Sequence, residues 1–202
     1  MTAHRRFVNC AAVCLVGVMA VACTPVRPGS ARPSIANNTS GTQSSPPEIA
    51  PTVAAPLALT ILSNNPCGLL TSTQLTTIGL TRAATAQREQ NSLMQGCEWN
   101  DSTVGTGVQL GVAWVPAFRH GLADIYPQRR TAAYWQPVTE GGYPAVLNDT
   151  VDERGTGTCR MDLGVSNTAV LDLSYQDSAT ANPCGKVETL AMTVVSSLKG
   201  GS

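Results

Sequence analysis

His120 is the residue best suited to acid–base chemistry, since it is the only histidine of the chain beyond residue 4. An imidazole titrates near neutral pH and is the usual base that activates a serine or cysteine nucleophile. Arg119 and Asp124 lie close to it in the sequence, but no Gly-x-Ser-x-Gly nucleophile elbow is present. The pattern favours a surface histidine on a short helix over a catalytic base.

Asp149, Asp152 and Glu153 form a second group with chemical potential, because two opposed carboxyl groups can hydrolyse a glycosidic bond. Asn148 and Gly155, on either side of them, are typical turn residues and favour a solvated loop. Neither group has a catalytic context, so we expect that the protein is not an enzyme.

Cofactor, metal and nucleic-acid sites have no support in this sequence. No glycine-rich loop is followed by Lys-Ser or Lys-Thr, and no Cys-x-x-Cys pair is present. Lys186 and Lys199 are the only lysines, and a formal charge of zero leaves no basic excess for nucleic acid. We predict no cofactor, no metal and no nucleic-acid partner.

Residues 1–22 have the three zones of an export signal. A basic start is followed by an apolar core, and the small residues Ala20-Val21-Ala22 come directly before Cys23. This ending is typical of a lipoprotein signal, in which diacylglycerol is attached to the cysteine thiol and cleavage makes that cysteine the new N-terminus. We predict lipid attachment at Cys23, with an ordinary secretory signal as the alternative. Two or three acyl chains give stable membrane attachment, unlike a single chain.

Residues 23–56 contain seven prolines among Ser, Thr, Ala and Asn. A segment with so few large apolar groups cannot bury enough surface to offset its ordering entropy. We interpret it as a disordered tether between the extracytoplasmic face of the cell membrane and a folded domain over residues 57–202. The length of 202 residues also favours one domain with accessory segments.

Aromatic and arginine side chains are concentrated between residues 116 and 144, although only 4% of the chain is aromatic. Aromatic faces suit sugars, and arginine suits anionic groups. We interpret this stretch as a candidate binding surface for an envelope glycan, lipid or protein partner. The alternative is that its aromatics pack the sheet while its arginines stay solvated. Its members are Phe118, Arg119, Tyr126, Arg129, Arg130, Tyr134, Trp135 and Tyr143.

Four cysteines remain beyond the leader: Cys67, Cys97, Cys159 and Cys184. An even number in an exported domain indicates disulfides. Two of the four lie in identical Asn-Pro-Cys-Gly sequences at helix starts, and the other two lie in strand-like runs. We favour Cys67–Cys97 and Cys159–Cys184, each joining a helix start to a nearby strand. The pairing of strand to strand and helix to helix stays open.

The hydrophobic pattern predicts an α+β domain with an antiparallel sheet of about five strands in two hairpin-like groups. A short N-terminal helix over roughly 71–78, with Thr71 and Gln74 as a capping box, and a C-terminal amphipathic helix are expected to cover the sheet. We expect a loop over 81–95 and a short helix around 118–126. The expected strands are 96–100, 107–115, 141–146, 158–165 and 169–175, with 57–62 as a further candidate for an edge strand.

Several short sequences, in this order, resemble a family of actinobacterial, largely mycobacterial, lipoproteins. They are Pro66-Cys67-Gly68-Leu69-Leu70-Thr71, Cys97-Glu98-Trp99, Gly142-Tyr143-Pro144-Ala145-Val146, Cys159 before a strand pair, and Pro183-Cys184. The resemblance covers about residues 60–199. It implies an envelope lipoprotein whose extracytoplasmic domain has no established activity, and it carries over no catalytic residues.

These observations favour a lipid-anchored binding or interaction module of the cell envelope. An envelope hydrolase and a structural or assembly adaptor are the alternatives. A cavity that encloses His120 and a carboxylate would favour the hydrolase. An apolar groove lined by residues 116–144 would favour the binding module, and a flat exposed patch would favour the adaptor.

Overall fold

The computed structural model describes residues 49–81, 84–91, 93–102 and 107–200. The predicted signal peptide, Cys23 and the predicted tether up to residue 48 lie outside the described residues. The strands are β1 Thr85–Gln90, β2 Gln95–Asp101, β3 Val108–Trp114, β4 Tyr134–Glu140, β5 Tyr143–Asp149, β6 Thr158–Ser166 and β7 Ala169–Gln176. The helices are α1 Thr60–Asn64, α2 Ser72–Ile78 and α3 Pro183–Gly200, with 3-10 turns at Pro66–Gly68, Gly121–Asp124, Tyr126–Arg130 and Arg154–Thr156.

The strands form one antiparallel sheet in the order β1-β2-β3-β7-β6-β5-β4. The α+β class and the antiparallel sheet are confirmed, but the described residues form seven strands and not five. The two strands that the sequence analysis missed, β1 and β4, are the two edges of the sheet. Edge strands bury little side-chain surface, so they need not alternate between apolar and polar residues. Accordingly β1 is polar except for Ala86, and β4 contains Pro137.

Helix α3 covers one face of the sheet, which we call the helix face. It packs on β6 and β7, and its inward stripe is buried as the spacing predicted. Helix α2 packs against α3 and has the predicted capping box between Thr71 and Gln74. Gly79 ends α2 with a φ of 126°, which favours glycine. The opposite side of the sheet is called the open face.

The N-terminal entry to the domain differs from the sequence expectation. Residues 57–62 are not an edge strand, because helix α1 begins at Thr60. The packed region also starts before residue 57, since Val53 is only 6% exposed. The Val53 N–H donates to Asn167 Oδ1 at 2.7 Å, and the Val53 carbonyl accepts from Asn167 Nδ2 at 3.3 Å. The last residues of the proline-rich segment are therefore hydrogen-bonded to the turn between β6 and β7.

Two disulfides join helix starts to the sheet in the pairing that the sequence analysis favoured. Cys67 bonds Cys97 of β2 across 30 residues, and Cys159 of β6 bonds Cys184 of α3 across 25 residues. Loops of this length restrict the unfolded chain by about 3 kcal/mol each in the chain-entropy treatment. The disulfides thus hold the first 3-10 turn and the start of α3 to inner strands of the sheet.

The two Asn-Pro-Cys-Gly sequences use their asparagines differently. Asn182 Oδ1 accepts a hydrogen bond from the Gly185 N–H at 3.0 Å, so it caps the 18-residue helix α3. Asn65 makes no side-chain cap bond, and its backbone carbonyl accepts from the Gly68 N–H instead. The same four residues therefore begin a long helix at one site and a single 3-10 turn at the other.

Replacing Asn182 with alanine is expected to lower the free energy of unfolding by about 1 kcal/mol, because the first turn of α3 loses its cap. Asn65→Ala is the matched control, and its cost should stay below about half of that value since no side-chain cap is lost. Urea denaturation of the two variants measures the difference. Equal losses would show that the Asn182 side chain does not cap α3.

Candidate functional site

The predicted aromatic and arginine surface does not form one groove. Tyr134 and Tyr143 are 8% and 5% exposed and belong to the main core. The Tyr134 hydroxyl accepts from the Arg160 N–H at 3.2 Å, and the Tyr143 hydroxyl donates to the Ala55 carbonyl at 2.8 Å. Burial raises the pKa of Tyr134. These two tyrosines have structural roles in the core and do not line a surface.

The remaining aromatics of that stretch lie on the open face in a small separate cluster. Phe118, Tyr126 and Trp135 are half-buried and pack around Leu122 and Ile125. The rings of Tyr126 and Trp135 meet edge to face, with centroids 5.3 Å apart. The expected short helix is replaced here by two 3-10 turns, because Gly121 has a φ of 58° and Pro127 lies at the start of the second turn. We call residues 117–131 the basic segment, since Arg119, Arg129 and Arg130 are exposed on it.

His120 lies at the surface. Its side chain is 78% exposed, and its Nδ1 lies 3.0 Å from Asp124 Oδ1. The backbone N–H of His120 also donates to Asp124, and this bond is the main cause of the lowered pKa of that carboxyl. The structure thus pairs His120 with a carboxylate, but in solvent and not inside a cavity.

The carboxylates Asp149, Asp152 and Glu153 do not form one group in the structure. Asp152 forms an ion pair with Arg154, with Oδ2 and the guanidinium 2.6 Å apart, and Arg154 lies over the Tyr134 ring. The hydrogen bond from Arg154 lowers the pKa of Asp152 to about 2. A general acid in a glycosidase needs a raised pKa, so Asp152 does not fit that role.

The open face carries a concave site, which we call the sheet cleft. One row of cross-strand neighbours runs through Glu98, Gly111, Ser174 and Arg160 on β2, β3, β7 and β6. The cleft has a volume of about 270 Å³. A β-carbon on Gly111 would lie 2.7 Å from Ser174 Oγ, so this glycine leaves the floor of the cleft open. The other polar lining residues are Glu89, Gln109, Asp149, Glu153, Thr158, Asp172 and Gln176.

The sheet cleft is acidic. Five carboxylates line it, against the single cation Arg160. Arg160 is already engaged, because its guanidinium lies 2.7 Å from Asp172 and 3.9 Å from Asp149. Glu98 accepts a hydrogen bond from Asn100 Nδ2 at 2.7 Å. The lining therefore has more negative charge than its own cation offsets.

A second, smaller cavity of about 210 Å³ lies beside the cleft, between the sheet and the basic segment. We call it the side chamber, and it shares Asp149, Arg160 and Asp172 with the cleft. Phe118 and Ile125 form its apolar wall. The cleft and the side chamber are thus joined at the Arg160 ion pairs.

Asp162 is the most perturbed acid of the side chamber. It lies directly across the sheet from Asp172 and accepts a hydrogen bond from Asn148 Nδ2 at 2.8 Å. Burial, and next the negative charge of Asp172, raise its pKa to about 7, against 3.8 for a free aspartate. Carboxyl groups with pKa values this high are concentrated at functional sites, although structural networks also produce them.

Apart from Asp149 and Glu153, the sequence analysis did not identify the polar residues of the cleft and the side chamber, although a signal was present. In β6 and β7, Arg160, Asp162, Asp172 and Ser174 alternate with buried apolar residues. The same alternation occurs in any strand with one solvated face, so it does not separate a cleft from a plain surface. The cleft forms because Gly111 has no side chain to fill it, and Gly111 lies on β3, two strands away from Asp162.

Comparison with known families identifies the family of this chain. A family model described as "protein of unknown function (DUF3558)" matches residues 18–197. The chain belongs to the DUF3558 family. No curated protein and no solved structure matches it. The match spans the whole sheet, both disulfides and the sheet cleft, so the candidate site lies within the DUF3558 region.

Two further features of this DUF3558 domain bear on its chemistry. Over the part of the chain that the structure describes, no three His, Cys, Asp or Glu side chains are arranged to hold a metal ion. Within the same ranges, no helix has the length and apolarity that crossing a membrane requires.

Proposed function

We propose that this DUF3558 protein is a lipid-anchored binding module of the cell envelope, and that its sheet cleft holds a polar, amine-bearing envelope component. The observation that carries the proposal is the cleft itself, in which five carboxylates face one engaged arginine over a glycine floor. An amine supplies the positive charge that this lining lacks, and it can form charge-assisted hydrogen bonds to Glu98 and its neighbours.

The polar side chains around the acids favour a ligand with hydrogen-bonding groups as well as charge. Gln109 and Gln176 present amides, and Thr158 and Ser174 present hydroxyls. Each of these side chains can both donate and accept. A sugar, an amino acid or a peptide end with an amine would satisfy several of them at once.

The envelope location is supported by the sequence and by the disulfides. Small residues before Cys23 are typical of a lipidated leader, and the sequence resembles actinobacterial lipoproteins. Two disulfides suit an oxidising compartment outside the cytoplasm. We therefore place the domain on the extracytoplasmic face of the membrane, held there by the lipid on Cys23.

A photo-crosslinking residue at Gln109 tests the proposal in living cells, because Gln109 is exposed and lines the cleft. We expect it to capture a defined envelope component. Glu98→Lys should reduce that capture at least about tenfold, since a lost ion pair and a new repulsion together exceed about 1.4 kcal/mol. The control position is Met192, which is 48% exposed on α3, away from the open face.

The capture pattern decides between cleft binding and nonspecific contact. Equal capture from Gln109 and Met192 would contradict the proposal. So would capture from Gln109 that is unchanged by Glu98→Lys.

A further inference from the structure

The charge of the domain is unevenly distributed. Residues 49–200 contain nine Arg and Lys against twelve Asp and Glu, a formal charge of −3. Residues 117–131, the basic segment, contain three arginines against one aspartate, a formal charge of +2. One third of the domain's arginines and lysines thus lie in one short stretch with a net positive charge.

The arginines of the basic segment are exposed, and two other arginines of the domain are held in ion pairs. Arg119 and Arg130 are exposed to solvent. Arg154 and Arg160 are tied into ion pairs with Asp152 and Asp172.

The basic segment lies where the chain enters the domain. Ala50 packs against the aromatic cluster that also contains Phe118 and Tyr126. Gly121 lies so close to the β6–β7 turn that a β-carbon there would be 2.7 Å from the Ser166 carbonyl oxygen. Val53 is hydrogen-bonded to Asn167 in the same turn. The residues that link the domain to Cys23 therefore enter it beside the exposed arginines.

We propose that the basic segment docks on anionic phospholipid headgroups of the membrane to which Cys23 is anchored. This inference rests on the proposed lipid anchor. Exposed arginines are attracted to an anionic membrane surface, and a half-buried tyrosine such as Tyr126 suits the headgroup level. The tether keeps the domain at a high effective concentration near that surface, so a few charges suffice.

Docking through the basic segment fixes the orientation of the sheet cleft. The segment contacts the ends of β6 and β7 at Gly164 and Val170, whereas the cleft lies toward Thr158 and Gln176. Gln176 lies six positions along β7 from Val170, which is about 20 Å in a strand. The side chamber lies between the segment and the cleft, so with the segment on the membrane the cleft lies beside it on the same face of the sheet.

The test uses the full lipidated chain in vesicles and measures hydrogen–deuterium exchange of peptides from residues 117–131. One set of vesicles is phosphatidylcholine alone, and the other contains about one third phosphatidylglycerol. We expect severalfold slower exchange on the anionic vesicles. About 1 M sodium chloride should remove the difference, because the Debye length falls to about 3 Å.

The double variant Arg119→Gln/Arg130→Gln should exchange equally on both vesicles. The control Lys186→Gln/Lys199→Gln removes the same charge elsewhere and should keep the protection. Equal exchange of the wild-type chain on both vesicles overturns docking while leaving the anchor intact. A chain that attaches to neither vesicle overturns the anchor and the docking together. Protection by inorganic phosphate without vesicles overturns docking in favour of a site for a free anion.

Discussion

Asp162→Asn is expected to remove most of the pH dependence of stability between pH 5 and pH 8. In the folded domain the pKa of Asp162 is raised to about 7, against 3.8 in the free residue. Its contribution to stability is therefore fully present below pH 3.8 and is lost as pH rises through about 7. For wild type we expect the free energy of unfolding to fall by about 2 to 3 kcal/mol from pH 5 to pH 8.

Urea denaturation at several pH values, followed by tryptophan fluorescence, measures this effect. Asparagine keeps the side chain neutral, so the variant should be more stable than wild type at pH 8. Asp152→Asn is the matched control, because Arg154 lowers the pKa of that exposed carboxyl to about 2, below the tested range. If the wild type and Asp162→Asn lost equal stability over this range, the raised pKa of Asp162 would have no energetic role.

Cys23→Ser is expected to move the protein from the membrane fraction to the soluble fraction almost completely. Serine has no thiol to accept diacylglycerol, and an anchor of two or more acyl chains is what holds a protein stably. Cell fractionation with immunoblotting measures the distribution. Cys14→Ser, which changes another leader cysteine, should leave the protein with the membrane. Retention of Cys23→Ser in the membrane fraction would contradict lipid anchoring at this residue.

The parts of the fold that could be predicted are those with strong local signals. The stripe of α3 and the capping box of α2 each depend on side chains close together in sequence. The placement of cysteines at helix starts and in neighbouring strands favoured the observed disulfide pairing but left one alternative open. Strands β1 and β4 were not predicted, because an edge strand forms by hydrogen bonding to its partner strand and need not alternate apolar and polar residues.

The candidate site depends on contacts between distant parts of the chain, and this explains why it was not predicted. Glu98 and Arg160 are 62 residues apart, and only the register of β2, β3, β7 and β6 brings them into one row. The aromatic residues between 116 and 144 were interpreted as one binding surface because they are close in sequence. The sheet then separates them, with Tyr134 in the main core and Trp135 on the opposite face.

The central claim is that the acidic sheet cleft binds the amine-bearing part of an envelope component. Nuclear magnetic resonance of the nitrogen-15-labelled protein, titrated with the diamine putrescine to about 10 mM, tests it most directly, since a single ion pair gives weak binding. The account predicts that the backbone amide shifts of Glu98, Gly111 and Ser174 move together and stay still in Glu98→Lys. Shifts that centre on residues 117–131, or no shifts at all, would contradict it.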